Sequence, residues 1–115
     1  MKVEVVVTDE FTEWFLELDD IDGEEVGRIV GLLEVRGVTL GFPYSSDIRG
    51  SRYALRELRI QSKGRPLRVL YAFDPKRQAV LLLGGDKIGM SDDRFYGMYV
   101  PRAEKLWIDY LSEME

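Results

Sequence analysis

The sequence predicts a single α+β domain in which a helical hairpin packs on a small, mainly antiparallel sheet, with a further helix at the C-terminus. Three observations lead to this fold class. A short β-branched segment precedes two apolar stripes of helical spacing, three apolar segments with turn residues between them follow, and the last segment returns to helical spacing. The element order is β-α-α-β-β-β-α, and 115 residues, 45% of them apolar, fit one domain over residues 1–115.

The first strand and the helical hairpin occupy the N-terminal part of the chain. Residues 2–7 are the strand, and Thr8 followed by Asp9 provides an N-cap for the first helix. The apolar stripe of that helix is Phe11, Trp14, Phe15 and Leu18. The stripe of the second helix is Val26, Ile29, Val30 and Leu33, ending at Gly37 as a C-cap. Both stripes are typical of helices that face a core. The acidic link between them, residues 19–22, suits a helix N-terminus and lacks the spacing of a calcium loop.

A loop and a three-stranded meander follow. Residues 38–50 are rich in Gly, Pro and Ser and predict a loop with a short extended piece near Pro43 and Tyr44. The three strands are predicted at residues 53–61, 66–73 and 78–85, with hairpin turns at 62–65 and 74–77. Alternation places Arg68 and Leu70 on one face, opposite Leu67, Val69 and Tyr71. We expect one face to pack on the helices and the basic side chains to collect on the other.

The final helix begins after Ser91, an N-cap residue. Its near-helical apolar positions are Phe95, Tyr99, Leu106 and Tyr110. Pro101 has no backbone N–H, so we expect the helix to kink or restart there.

The distribution of charge is the strongest functional signal. The net charge is −5, yet residues 49–68 contain seven of the sixteen Lys and Arg residues and one carboxylate, Glu57. The seven are Arg49, Arg52, Arg56, Arg59, Lys63, Arg65 and Arg68. We call residues 49–68 the basic window. A basic stretch on an acidic chain favours a phosphate-rich partner.

Several function classes are excluded by composition. The chain has no Cys and no His, which removes disulfides, thiol nucleophiles and the commonest metal ligands, so we expect no metal and no cofactor. No apolar run is long enough to cross a bilayer and no signal-peptide core is present, which predicts a cytoplasmic protein without a membrane partner. The GGDK segment at residues 84–87 lacks the spacing of a P-loop.

Four segments in order resemble a known family. They are RELRI at residues 56–60, RVLYAF at 68–73, VLLLGGDK at 80–87 and RFY at 94–96. This pattern resembles the HigB-like, phage-derived Gp49-like branch of the RelE/ParE toxin superfamily, and it implies a RelE-like fold. The resemblance implies the toxin of a type II toxin–antitoxin system that cuts mRNA on the ribosome and inhibits translation. It also implies a cognate antitoxin, commonly with a helix-turn-helix domain.

The candidate site residues follow from this resemblance and from the chemistry of RNA cleavage. Arg68 matches the family position that holds the scissile phosphate, which a guanidinium fork suits. Lys87 adds a point charge or acts as acid or base, and Tyr96 stacks on a base or donates a proton. These three are the candidate catalytic residues of a metal-independent endoribonuclease. The candidate RNA-binding residues are Arg56, Arg59, Lys63 and Arg65. Glu57 is either a general base or an ion-pair partner of Arg59 or Arg68.

Two other functions remain open at this point. One is a non-enzymatic toxin like the ParE branch, which inhibits DNA gyrase by binding it. The other is an inactive phage-derived protein of the same fold, which gains support because Ile88 stands where many relatives carry a small hydroxyl residue. Aromatic residues of the last helix either close the core or form a surface for the antitoxin or a second copy. They are Tyr99, Trp107 and Tyr110, with Met114 beside them.

Overall fold

The computed structural model describes residues 2–114. The chain forms β1 (Val5–Val7), α1 (Asp9–Leu16), α2 (Asp20–Arg36), a 3-10 turn (Gly37–Thr39), β2 (Ser45–Asp47), β3 (Arg56–Ser62), β4 (Arg65–Phe73), β5 (Ala79–Asp86) and α3 (Asp92–Glu113). The predicted order is confirmed, with β2 as an additional short strand. This strand starts one residue after the extended piece expected near Pro43 and Tyr44.

The five strands form one sheet in the order β1-β5-β4-β3-β2. Only β1 and β5 run parallel, and all other neighbours are antiparallel, as the sequence predicts. β1 is shorter than expected because its partner β5 begins at Ala79, opposite Val5, and the Val3 backbone N–H donates to the Glu34 carbonyl of α2 (2.9 Å).

Each of the three α-helices within residues 2–114 has a short polar side chain as its N-cap. Thr8 accepts from the Phe11 N–H and Ser91 from the Arg94 N–H, as predicted, at 3.0 and 3.2 Å. Asp19 caps α2 in the same way. α1 ends at Leu16, so Leu18 lies beyond the helix, although it still packs against the core.

Two apolar cores lie on the two faces of the sheet. The helical hairpin covers one face, where the α1 and α2 stripes meet the strands around Val69 and Tyr71. α3 covers the other, burying Phe95 and Trp107 against Leu70 and neighbouring strand residues. The expectation that only one face packs on the helices is therefore wrong, because the apolar stripe of α3 also needs burial, and Arg59 and Arg68 share the second face with α3. Tyr99, Trp107 and Tyr110 belong to this second core.

α3 runs through Pro101 without a break, so the expected restart does not occur. Buried residues lie on both sides of the proline, with Phe95 before it and Ala103 after it, and their packing keeps both halves on the sheet. Gly97, whose carbonyl loses its helix donor to the proline, is exposed, so water can replace that donor. Within residues 2–114, no helix is both long and apolar enough to span a membrane.

The consecutive glycines Gly84 and Gly85 allow an aromatic ring to approach each face of β5. A Cβ atom at Gly84 would lie 2.2 Å from the Trp14 ring of α1, and one at Gly85 would lie 2.5 Å from the Tyr99 ring of α3. Both distances are far below van der Waals contact. The GG pair therefore serves close packing of α1 and α3 on the sheet.

Candidate active site

Neighbouring strands bring three charged side chains together on the α3 face of the sheet. Glu57 and Arg59 are two residues apart on β3 and so share a face. Arg68 of β4 lies directly opposite Arg59, with Gly85 of β5 on its other side. Glu57 and Arg68 are only 4% and 5% exposed, although both carry charges. Such buried charges require partners.

Glu57 is surrounded by donors. Its carboxylate accepts from the Tyr96 hydroxyl (2.6 Å), the Ser46 hydroxyl (3.0 Å) and Arg59 Nη1 (3.2 Å). Arg68 Nε lies 3.7 Å from Glu57 Oε1. The sequence alternative in which Glu57 pairs with Arg59 or Arg68 is therefore confirmed, and it pairs with both. A carboxylate has about four lone-pair sites, and these hydrogen bonds occupy three of those of Glu57.

Arg68 is incompletely satisfied. Its Nη1 donates to the neighbouring Leu67 carbonyl (3.1 Å), whereas its buried Nε has no hydrogen-bond acceptor among the described residues. An unmade bond at a buried donor costs about 1–3 kcal/mol. An anion with several acceptor oxygens, such as a phosphate, would remove this cost and suits the guanidinium fork.

Lys87 lies at the end of β5, where its backbone N–H donates to the Pro66 carbonyl (2.9 Å). Its Nζ is 2.5 Å from Asp92 Oδ1, on the first turn of α3. The Lys87 hydrogen bond and charge, with the charges of Arg68 and Arg59, hold the pKa of Asp92 below its usual value of 3.8. Lys87, Arg68 and Arg59 therefore all lie close enough to the Asp92 carboxylate to stabilise its charge, even though Asp92 is exposed.

Tyr96 connects α3 to the sheet through its bond to Glu57. Burial, the hydrogen bond to Glu57 and the Glu57 charge raise the pKa of Tyr96 to about 12, against an opposing effect of Arg68. Its hydroxyl is therefore protonated at neutral pH and positioned as a proton donor.

The site opens into a cleft of about 820 Å³ between β3, α3 and the segment after β2. Glu57, Arg59, Tyr96 and Asp92 line it, and residues 47–50 with Arg52 form the opposite wall. The volume is in the range of small-molecule and cofactor sites. Among residues 2–114, no three His, Cys, Asp or Glu side chains are grouped to hold a metal ion.

The remaining predicted RNA-binding cations lie elsewhere. Arg56 points to the face of the sheet that α1 and α2 cover. There it donates to the Tyr71 hydroxyl (3.3 Å) and the Leu40 carbonyl (3.2 Å) and pairs with Asp47. The cause is strand alternation, since Arg56 shares its face with Leu58.

Lys63 and Arg65 bind the N-terminus of α2. Lys63 pairs with Asp19, and Arg65 bridges Asp22 and Asp86. The hydrogen bond from the Ser62 hydroxyl, together with Arg65, lowers the pKa of Asp22. Of the four predicted RNA-binding cations, only Arg59 lies beside Arg68.

Two participants were missed by sequence reasoning. Ser46 reaches Glu57 because β2 pairs with β3, and a three-residue strand in a Ser-rich loop has too weak a pattern to be recognised. Asp92 reaches Lys87 because α3 begins at Asp92, only five residues after Lys87, so its first turn lies beside the end of β5. Its position in a helical first turn is a signal for helix capping alone.

Comparison with known proteins identifies the family. The profile of the family described as Phage derived protein Gp49-like (DUF891) matches residues 13–107. A protein of Mycobacterium tuberculosis strain H37Rv named "Putative toxin HigB3" is 38% identical over 109 residues, which are 94% of this chain and 93% of the relative.

Another protein of that strain, named "Putative toxin HigB2", is 36% identical over 104 residues, which are 89% of this chain and 51% of the relative. The chain thus spans about half the length of this second relative. The family match and the two similarities, on an α+β fold of the expected order, show that the chain belongs to the HigB-like, phage-derived Gp49-like family of toxins.

Proposed function

We propose that this protein is the toxin of a type II toxin–antitoxin pair and that it acts in the cytoplasm as a ribosome-dependent mRNA endoribonuclease. The observation that carries the proposal is the buried guanidinium of Arg68, whose Nε has no acceptor among residues 2–114 and which lies beside Arg59 and Glu57, two residues that line the cleft. A cognate antitoxin with a helix-turn-helix domain is the proposed partner that silences it.

Cleavage proceeds by internal transfer, in which the 2′-oxygen attacks phosphorus and the 5′-oxygen leaves. The scissile phosphate binds Arg68 and Arg59, which supply charge where negative charge develops in the transition state. Lys87 contributes a further positive charge at the end of β5. No metal is required for this arrangement.

Proton transfer is assigned to the hydrogen-bonded pair of Glu57 and Tyr96. When the phosphate takes over the guanidinium groups of Arg59 and Arg68, two of the groups facing Glu57 are withdrawn, and its carboxylate accepts the proton of the 2′-hydroxyl. Tyr96, protonated because its pKa is about 12, donates its proton to the leaving 5′-oxygen. Transfer from Glu57 to the tyrosinate restores both groups, since the two are 2.6 Å apart.

Primer extension on transcripts after induced expression tests the proposal. Wild-type protein is expected to cut mRNA and arrest growth, and co-expression of the antitoxin to prevent both. Arg68→Ala should lower cleavage by about 10²–10³-fold. Arg68→Lys keeps the charge but loses the fork, so it should also remain impaired. The matched control is Arg36→Gln, an exposed cation at the end of α2, which should cut normally.

Growth arrest without transcript cleavage would refute the nuclease. If purified protein then inhibited gyrase supercoiling, the ParE-like function would replace it. Absence of both effects would favour the inactive phage-derived protein.

A further inference from the structure

The segment of residues 48–53, here called the cleft loop, has a defined conformation on one wall of the cleft. Its base is closed by a bond from the Ile48 N–H to the Leu55 carbonyl (3.1 Å). Glu104 of α3 accepts from the Ser51 hydroxyl (2.8 Å) and the Arg52 N–H (3.1 Å). Gly50 has a φ of +84°, which glycine adopts readily. The loop is therefore tied across the cleft to α3.

The cleft loop carries the two cations of the basic window that have no ion pair. Arg49 and Arg52 are exposed, and within residues 2–114 neither lies within ion-pair distance of a carboxylate. The other five cations of the window, Arg56, Arg59, Lys63, Arg65 and Arg68, each have a carboxylate partner. Within the basic window, the positive charge that has no ion pair is thus confined to this loop.

Three of the five carboxylates that line the cleft are already paired with cations. Asp47, Glu57 and Asp92 are paired with Arg56, Arg59 and Lys87, respectively. Glu104 accepts hydrogen bonds from the neutral Ser51 hydroxyl and Arg52 N–H, and neither it nor Asp93 has an ion pair among the described residues. Among the described cations that line the cleft, Arg49 and Arg52 are the two without an ion pair.

We propose that Arg49 and Arg52 bind backbone phosphates of single-stranded RNA next to the scissile phosphate, so that the cleft loop is a second RNA-binding segment. This inference rests on the proposed nuclease function. The cleft supports it, because both arginines line the same cleft as Arg59 and Tyr96. Such contacts position the strand and carry no sequence information. Apolar residues that line the cleft, such as Val100, give the riboses and bases a surface to pack against.

The test uses an oligoribonucleotide that is 2′-O-methylated throughout, so that internal transfer cannot cleave it. Binding is followed by fluorescence anisotropy in a salt series for wild-type protein and for Arg49→Gln/Arg52→Gln. The control is Arg36→Gln/Lys76→Gln, which removes the same charge from exposed positions outside the cleft. Circular dichroism and thermal unfolding verify that all three proteins are folded.

Each phosphate contact on a single strand contributes about 0.7 to the slope of log affinity against log salt, so the cleft-loop variant should lose about 1.4 from that slope. When salt rises from about 50 to about 200 mM, the fold-loss of affinity in the variant should then be about seven times smaller than in the wild type. The control should keep the wild-type slope.

The proposal is overturned if the cleft-loop variant keeps the wild-type slope, or if wild-type protein does not bind the probe. It is also overturned if the variant binds RNA normally but loses the antitoxin, because the loop then docks an acidic protein. The probe is never cut, so a nuclease failure is seen separately: wild-type protein that leaves transcripts intact refutes the nuclease, while a reduced slope still supports the loop.

Discussion

Replacement of Gly85 by alanine should destabilise the fold at the point where α3 meets the site. A Cβ there would lie 2.5 Å from Tyr99 Cε2, 2.6 Å from Cζ and 2.8 Å from the hydroxyl oxygen. Carbon atoms in contact prefer about 3.5–4.0 Å, so the ring must retreat by about 1 Å. It cannot do so alone, because it is stacked on Phe95 at 4.3 Å and Phe95 is fully buried.

The cost follows from what must move. Either α3 lifts from the sheet or Tyr99 leaves its position, and overpacking of this kind costs about 1–3 kcal/mol. For a chain of this size the melting temperature should fall by about 4 °C per kcal/mol. Gly31→Ala is the matched control: Gly31 lies inside α2 with nothing within 4 Å of a new Cβ. There the same substitution should stabilise by about 0.8–1.0 kcal/mol.

Thermal and urea unfolding of the three proteins measure these changes. Gly85→Ala should lower the midpoint of thermal and urea unfolding, and Gly31→Ala should raise it. If Gly85→Ala is as stable as wild type, the close approach of Tyr99 does not constrain β5 and the packing argument is wrong.

Three other predictions concern single groups. Glu57→Gln should bring the pKa of Tyr96 down from about 12 toward 10.0, measured as tyrosinate absorbance against Tyr96→Phe; an unchanged titration would contradict the hydrogen bond between them. Because the pKa of Asp22 is lowered from 3.8, its stabilising contribution is present above that pH and is lost as pH falls through the folded-state pKa. The drop in the urea midpoint between about pH 6 and about pH 3 should therefore be smaller in Asp22→Asn than in wild type, and equal drops would refute the linkage. Glu104→Ala should increase the rate at which trypsin cleaves the cleft loop, because the loop loses its acceptor on α3. Glu104→Gln keeps an acceptor oxygen, so trypsin should cleave that variant slowly. Equal rates in the two variants would show that Glu104 does not hold the loop.

Element order was predictable because it depends on local periodicity. The stripe around Phe11 and the strand around Val69 each bury one face, and their spacing is visible in any short window. The caps at Thr8 and Ser91 are likewise local, since each side chain reaches only three residues along the chain. Boundaries were less predictable, as β1 illustrates, because pairing ends where the neighbouring strand ends.

The candidate site was only partly predictable. Family resemblance singled out Arg68, and alternation placed it opposite the hairpin face, yet the burial of its guanidinium depends on α3. Pro101 predicted a kink or a restart of the helix, and the restart does not occur because packing of α3 on both sides outweighs one lost helix bond. Ser46 and Asp92 have no local signal for their partners.

By itself the sequence determined the α+β order, the family and the presence of a basic window on an acidic chain. Tertiary structure alone decided which of those cations are free. Lys63 and Arg65 meet carboxylates more than forty residues earlier in the chain, whereas Arg49 and Arg52 meet none among residues 2–114. The physical reason is that a charge count along the chain sums over every face, while Coulomb attraction depends on distance in space.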